Sequence, residues 1–373
     1  MNLLFEPAPL EDWLRDYYFE AKADISSSGA EPYGLGEALD LLAVDPREFA
    51  GISLRDSRSA GADVLRDLVA ERAGITDSGR VLVGNGSTEA QLLVMAATLA
   101  AGDEVVVVDP AYHTLVATVR AIGCRVTSWP LRPENRFRPD LAELRRLVTP
   151  RVKMIIVNFP HNPCGVTLTH AEQRELVEIA DRNGCYLFWD GAFEDLAYDA
   201  PPLPAVSTMY ERGLSFGTMS KSFGLPGLRV GWGIVPPEVV RRAVQVRDYT
   251  TLALSPVVEF IAERALRMPE RLLAPRLGMA RENRETVREW LAAHDGLVSA
   301  DLPQAGVLLF PALTGMADTR PFCHRLMREH GVLVVPGECF GVPGHVRVGF
   351  GGRPADLRRG LDALSAALRA GEG

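Results

Sequence analysis

Cysteine is sparse and carries no pattern. The five present, Cys124, Cys164, Cys185, Cys323 and Cys339, are odd in number and contain no CxxC pair, so they indicate neither a disulfide framework nor a zinc site. Buried thiols account for them. No stretch of about 18 consecutive apolar residues is present to cross a bilayer, and no membrane association is expected. The opening MNLLFEPAPLEDW places Glu6 and Glu11 where a secretory leader needs a cationic head and an unbroken apolar run, so a cytoplasmic protein is expected. Basic clusters are also missing. Lys and Arg total 40 against 48 Asp and Glu, a net charge of -8, and the first 50 residues carry no basic helix-turn-helix, which argues against nucleic acid as a partner. Internal repeats, low-complexity tracts and long linkers are absent too.

What is present is a chain of 373 residues with 47 % apolar content, enough for two or three domains at roughly 150 residues each. EVVVVD (104–109), KMIIVNF (153–159), CYLFWD (185–190) and LSFGTM (214–219) are short apolar runs bounded by turn formers, and they read as buried strands. Between them lie amphipathic stretches. AEQRELVEIADRNG follows Thr169, with Glu172 three residues on as a capping box and Gly184 as a stop. Such alternation predicts an α/β fold, a mostly parallel central sheet with helices on both faces. From Pro256 to about Trp290 the pattern is long and helical, then VLLF, VLVV and VRVGF return as strands and 355–370 reads as a closing helix. A smaller α+β C-terminal domain results, completed by the N-terminal segment. The expected division is an arm of residues 1–50, a large domain of 51–255 and a small one of 256–373.

Ligands of an open α/β sheet bind beyond the carboxyl ends of its strands. After VLVGN, Gly86, Ser87 and Thr88 open a helix, offering free amides and a hydroxyl to an anion. After the other runs come Tyr112, Asn162, Asp190, and then Ser220 with Lys221. An aromatic ring, an amide, a carboxylate, an amine and a phosphate cradle on one rim suit a phosphorylated heteroaromatic aldehyde, pyridoxal phosphate. Singly, each has a plainer reading: Asp190 as a turn cap, Tyr112 as core, Arg347 as an exposed strand cation, Gly227 as a turn residue. GLSFG (213–217) matches the G-x-S-x-G nucleophile elbow of hydrolases, but Ser215 falls inside a strand rather than on the turn after it. His113 and His161 show no metal spacing and suit hydrogen-bonding or packing; no metal is expected.

The order of these motifs, in particular Thr218-x-Ser220-Lys221 with Arg229 eight residues on, HNPCG (161–165) and DGAF (190–193), resembles the fold-type I pyridoxal-phosphate enzymes of the class I/II aminotransferase superfamily over nearly the full length. The resemblance implies that Lys221 bonds to the cofactor aldehyde and then serves as general base at the substrate α-carbon. It implies that Asp190 pairs with the pyridine nitrogen, Asn162 bonds the ring hydroxyl and Tyr112 stacks on the ring. Gly86, Ser87, Thr88, Thr218, Ser220 and Arg229 would hold the phosphate. Arg347 would clamp an α-carboxylate, a bidentate task that suits arginine better than lysine, so an amino-acid substrate is implied; the resemblance also implies a homodimer, because the family builds its active site at a subunit boundary.

This sequence departs from the common aminotransferase pattern. Cys164 replaces a threonine, Phe193 a ring-contacting tyrosine, and Asp56 lies near where a partner-subunit tyrosine commonly reaches the phosphate. AKADISSSG (21–29) replaces an apolar entrance segment and puts Ser27, Ser28 and Gly29 at the substrate. With DPAYHTL, VNFPHNPCG, LFWDGAF and GVLVVPG, these segments are similar to the superfamily's cyclising members that supply peptide and streptothricin-type antibiotic pathways. That implies loss of the β-hydroxyl of 3-hydroxy-L-arginine followed by internal guanidine addition; the alternative is an aminotransferase acting on an arginine-like substrate. Asp24, Glu31, Asp195 and Glu338 are candidate partners for the guanidinium.

Overall fold

The computed structural model describes residues 5–370, so the first four residues of the stretch read for a leader lie outside it. Its centre is a seven-stranded sheet. From edge to edge the strands are Val81–Asn85, Val230–Ile234, Gly213–Thr218, Tyr186–Asp190, Val152–Asn158, Glu104–Asp109 and Arg125–Pro130. Val230–Ile234 runs antiparallel to both neighbours and every other pair is parallel. The four expected runs are all strands of this sheet. Continuous Val, Ile and Phe runs suit them because helices cover both faces, leaving Val105 to Val108 and Met154 to Val157 buried on each side.

The helix His170–Asn183 carries the expected capping box between Thr169 and Glu172 and stops at Gly184, which adopts a left-handed conformation that costs glycine nothing. The helical stretch from Pro256 divides into Pro256–Arg267 and Pro269–Ala293. Met268 breaks it. The residue before a proline is pushed out of the α region, and Pro269 then fits the first position of a new helix, where no amide hydrogen is needed.

Beyond the large sheet, Leu308–Leu309, Val346–Gly349 and Val335–Pro336 form a small antiparallel sheet. Ala23–Asp24 pairs in parallel with Val332–Leu333, so the N-terminal segment does join the C-terminal part of the chain. Gly349 permits a close approach there: a Cβ at that position would stand 1.8 Å from the Ser27 carbonyl oxygen. Two register relations set up the rim. Asn158 and Asp190 are paired strand ends, and Asp190 pairs with Phe216, two residues short of Thr218. Three polar side chains therefore emerge along one line at the carboxyl ends of adjacent strands. Among the described residues, no helix is long and apolar enough to cross a membrane.

Candidate active site

A cavity of about 200 Å³ opens at that rim, and all the expected ring and phosphate residues except Gly86 line it, together with Ser28 and Arg347. A larger cavity, about 540 Å³, lies between the loops 133–139 and 299–304 and contains none of the rim residues. Size does not pick the site; chemistry does.

Lys221 follows the strand Gly213–Thr218 by three residues and points into the cavity. Its Nζ donates to Ser28 Oγ at 2.7 Å and stands 5.9 Å from the centre of the Phe193 ring. Burial, reinforced by the nearby Arg347 charge, lowers its pKa to about 8. Its amine is thus far easier to deprotonate than a free lysine. Gly29 lies directly beneath it, where a Cβ would come within 3.1 Å of the Ser220 carbonyl oxygen. Ser27 is exposed and does not line the cavity.

Asp190 ends its strand and is 6 % exposed. Burial raises its pKa to about 6, against the lowering effect of hydrogen bonds from the Ala192 amide and the Gln91 side chain. No arginine or lysine forms an ion pair with it among the described residues. Asn158 Nδ2 donates to the Asp190 carbonyl oxygen at 2.9 Å, and Asn158 Oδ1 accepts from the Asn162 amide at 2.8 Å. Asn162 Oδ1 in turn accepts from Arg347 Nη1 at 3.1 Å, which leaves the side-chain Nδ2 of Asn162 as a donor without a partner among the described residues.

The anion cradle is built by backbone. Helix Ser87–Thr98 begins at Gly86, with φ 80° and ψ 163°, a region open essentially to glycine alone. A Cβ at this position would lie 2.3 Å from Arg229 Nη2. Arg229 itself holds a positive φ of 56° and donates through Nη1 to Ser220 Oγ at 3.3 Å and to the Pro226 carbonyl at 2.9 Å. Thr218 Oγ1 donates to Ser220 Oγ at 3.1 Å. Hydroxyls, guanidinium and helix amides therefore converge as an anion site requires. Gly86→Ala is expected to combine the backbone penalty with displacement of Arg229, weakening cofactor affinity roughly 10- to 100-fold; absorbance titration of the apoprotein measures it.

Arg347 is 2 % exposed, not the surface cation of the plainer reading. Its Nη2 donates to the Ser26 carbonyl at 2.8 Å, while its Nε is buried without a partner. Burial lowers its pKa to about 10, so it stays charged at neutral pH. Its guanidinium lines the cavity with no carboxylate partner among the described residues. Tyr112 caps the start of helix His113–Ile122, and its hydroxyl donates to Glu11 Oε1 at 3.1 Å. His161 is packing and scaffold: its Nε2 meets the Pro110 carbonyl oxygen at 2.9 Å, and burial lowers its pKa to about 4. Ser215 lies inside its strand, with Oγ accepting from the Ser207 amide, so no nucleophile elbow forms. Asp56 is exposed, away from the cradle, beside Glu259 and Glu263.

Three polar cavity residues go beyond those expected. Asn158 was legible, being the last residue of a recognised strand, and Gln91 stands one helical turn beyond Ser87. Glu11 gave no signal; the fold alone brings it in from helix Pro9–Tyr17.

Capreomycidine synthase of Streptomyces vinaceus is 47 % identical over 363 residues, which cover 97 % of this chain and 93 % of that protein. The arginine–pyruvate transaminase of Pseudomonas aeruginosa is 34 % identical over 310 residues, covering 78 % and 76 %. Among solved structures, a PLP-dependent cyclase, OrfR, superposes with a TM-score of 0.92 at 40 % identity, covering 98 % of this chain and 97 % of that one. Residues 55–364 match the profile of the aminotransferase class I and II family, and the chain belongs to that family.

Proposed function

We propose that this chain uses pyridoxal phosphate to remove the β-hydroxyl of 3-hydroxy-L-arginine and to close the guanidine onto the same carbon, giving the cyclic amino acid capreomycidine. The observation that carries the reading is the near-full-length similarity to capreomycidine synthase, and the gathering of Lys221, Asp190, Asn162, Tyr112 and Arg347 in one cavity supports it. The residues fit the cofactor. Among the described residues Asp190 is a buried acid without an ion-pair partner and Asn162 Nδ2 is unpaired, and Gly86 leaves room against Arg229. When bound, pyridoxal phosphate supplies a conjugated ring that accepts the electron pair of a bond broken at the substrate α-carbon.

The protein's part is positioning and proton transfer. Ser87, Thr88, Thr218, Ser220 and Arg229 would hold the phosphate, Tyr112 would stack on the ring and Asn162 would donate to its oxygen. Asp190 stabilises a proton on the ring nitrogen. Arg347, whose guanidinium lines the cavity, would take the α-carboxylate and so fix the Cα–H bond toward Lys221. The neutral Lys221 Nζ takes the α-proton, assisted by a pKa already close to working pH. Ser28, bonded to Nζ, steadies that amine. Hydroxide leaves Cβ with its electron pair and is protonated to water. A guanidine nitrogen bonds to Cβ, and the proton it loses balances the one restored to Cα, for a net loss of one water. Both reacting ends belong to one molecule, which removes much of the entropic cost of the encounter.

A second reading, transamination of an arginine-like substrate, is favoured by the similarity to the arginine–pyruvate transaminase, at lower identity and coverage. Incubation with 3-hydroxy-L-arginine, and separately with L-arginine plus pyruvate, distinguishes them by product mass. Loss of one water with all nitrogens retained is expected; a keto acid as main product from both substrates overturns the cyclase reading. The proposal also includes a homodimer in the cytoplasm and division of the chain at 50/51 and 255/256. Strands of the large sheet falling within 81–234 and the pairing of 23–24 with 332–333 support that division.

A further inference from the structure

We propose that Glu11 receives the distal guanidinium of the substrate, an inference that rests on the arginine-type substrate proposed above. The four acids suggested by sequence are engaged elsewhere. Asp24 Oδ1 accepts from the Ser26 amide at 2.7 Å and the Ser26 hydroxyl at 2.6 Å. Glu31 pairs with Arg353 at 3.4 Å, and Asp195 pairs with Arg72. Glu338 accepts from the Thr319 amide at 2.8 Å and its hydroxyl at 2.7 Å. None of the four lines the cavity.

Glu11 does line it, flanked by Leu10 and Leu14 from the same helix. Its carboxylate accepts one hydrogen bond, from Tyr112, and has no basic partner among the described residues. The other charged groups lining the cavity are Lys221, Arg229, Arg347 and Asp190. Arg229 and Arg347 are cations, which repel a guanidinium, Lys221 is committed to the cofactor and the α-proton, and Asp190 is needed by the ring nitrogen. Glu11 is therefore the one carboxylate left for a positive side chain. Its charge reaches the reacting centre, where it raises the proton affinity of both Lys221 and Arg347. With the α-carboxylate on Arg347, the methylenes run past Leu10 and Leu14 and the guanidinium meets Glu11 in the paired N–H···O geometry that carboxylates offer. Tyr112 aims that carboxylate by holding Oε1.

The test compares binding of L-arginine with L-citrulline, which has the same length and a neutral end group, to the holoenzyme by calorimetry. Wild-type protein is expected to prefer L-arginine. Glu11→Gln should weaken L-arginine roughly 10- to 100-fold while changing L-citrulline by less than about threefold, and Glu11→Asp should recover part of the preference. The cofactor's visible absorbance confirms that each variant is loaded. An undiminished arginine preference in Glu11→Gln overturns the proposal, as does a wild-type protein without one. Neither measurement needs a β-hydroxyl or ring closure. Failure to cyclise 3-hydroxy-L-arginine, with Glu11-dependent arginine binding intact, would count against the proposed function alone.

Discussion

Lys221→Ala is expected to give a folded protein that, after incubation with pyridoxal phosphate, shows no absorbance band of a protein-bound imine and retains no cofactor after borohydride treatment and denaturation. Activity should fall by at least roughly 10³-fold, since the same amine serves as covalent anchor and as general base. No second amine lines the cavity: its other basic side chains, Arg229 and Arg347, are guanidinium groups. Folding should survive, because the lost amine makes one hydrogen bond, to Ser28, and its burial works against its charge. A second expectation follows in the wild-type protein. Attack on the aldehyde needs the neutral amine, so the rate of cofactor loading should rise with pH through about 8 rather than near the ~10.4 of a free lysine. Stopped-flow absorbance across pH 6.5 to 9.5 reads this directly. A borohydride-stable attachment in the alanine variant would place the anchor elsewhere.

The residues proposed to hold the cofactor could be read from the sequence as one rim, whereas much of the proposed substrate side could not, and the reason is chain separation. Ser87, Asp190, Thr218 and Lys221 each lie at or just beyond a strand whose apolar run is visible locally, and the parallel topology then brings those ends to one rim. Asn158 obeys the same rule. The substrate side is assembled across the chain. Arg347 reaches the Ser26 carbonyl over 321 residues, and Tyr112 meets Glu11 over 101. Glu11 belongs to an amphipathic surface helix whose acids look alike in sequence; Asp12, its neighbour, simply pairs with Arg15. Only packing of Leu10 and Trp13 into the core decides which of the two carboxylates turns toward the cavity. Among the hydroxyls of AKADISSSG, backbone direction likewise sorts Ser26 inward to Asp24, Ser28 to Lys221 and Ser27 to solvent.

Asp190→Asn is expected to produce the opposite signs in the two forms of the protein. In the apoprotein, Asp190 is a buried carboxyl whose pKa stands at about 6 instead of 3.8. The folded state therefore holds this proton more tightly than the unfolded chain. Its contribution favours folding below about pH 4 and is lost as pH rises through 6, roughly 3 kcal/mol between those limits. Asparagine has the same shape and no charge to desolvate, so the apoprotein should melt at the same temperature or a few degrees higher at pH 7.5. The cofactor reverses the balance. A proton on the ring nitrogen gives the carboxylate its missing partner, and removing one member of a buried pair costs about 3–5 kcal/mol. Cofactor affinity and turnover should together fall by at least roughly 100-fold, and the rise in melting temperature on adding pyridoxal phosphate should shrink accordingly. An analogue methylated on the ring nitrogen carries a fixed positive charge and should restore part of the turnover, though not the lost ion pair. Full turnover in Asp190→Asn with unmodified cofactor would mean that the ring works without a protonated nitrogen, and that this acid is present for structure alone.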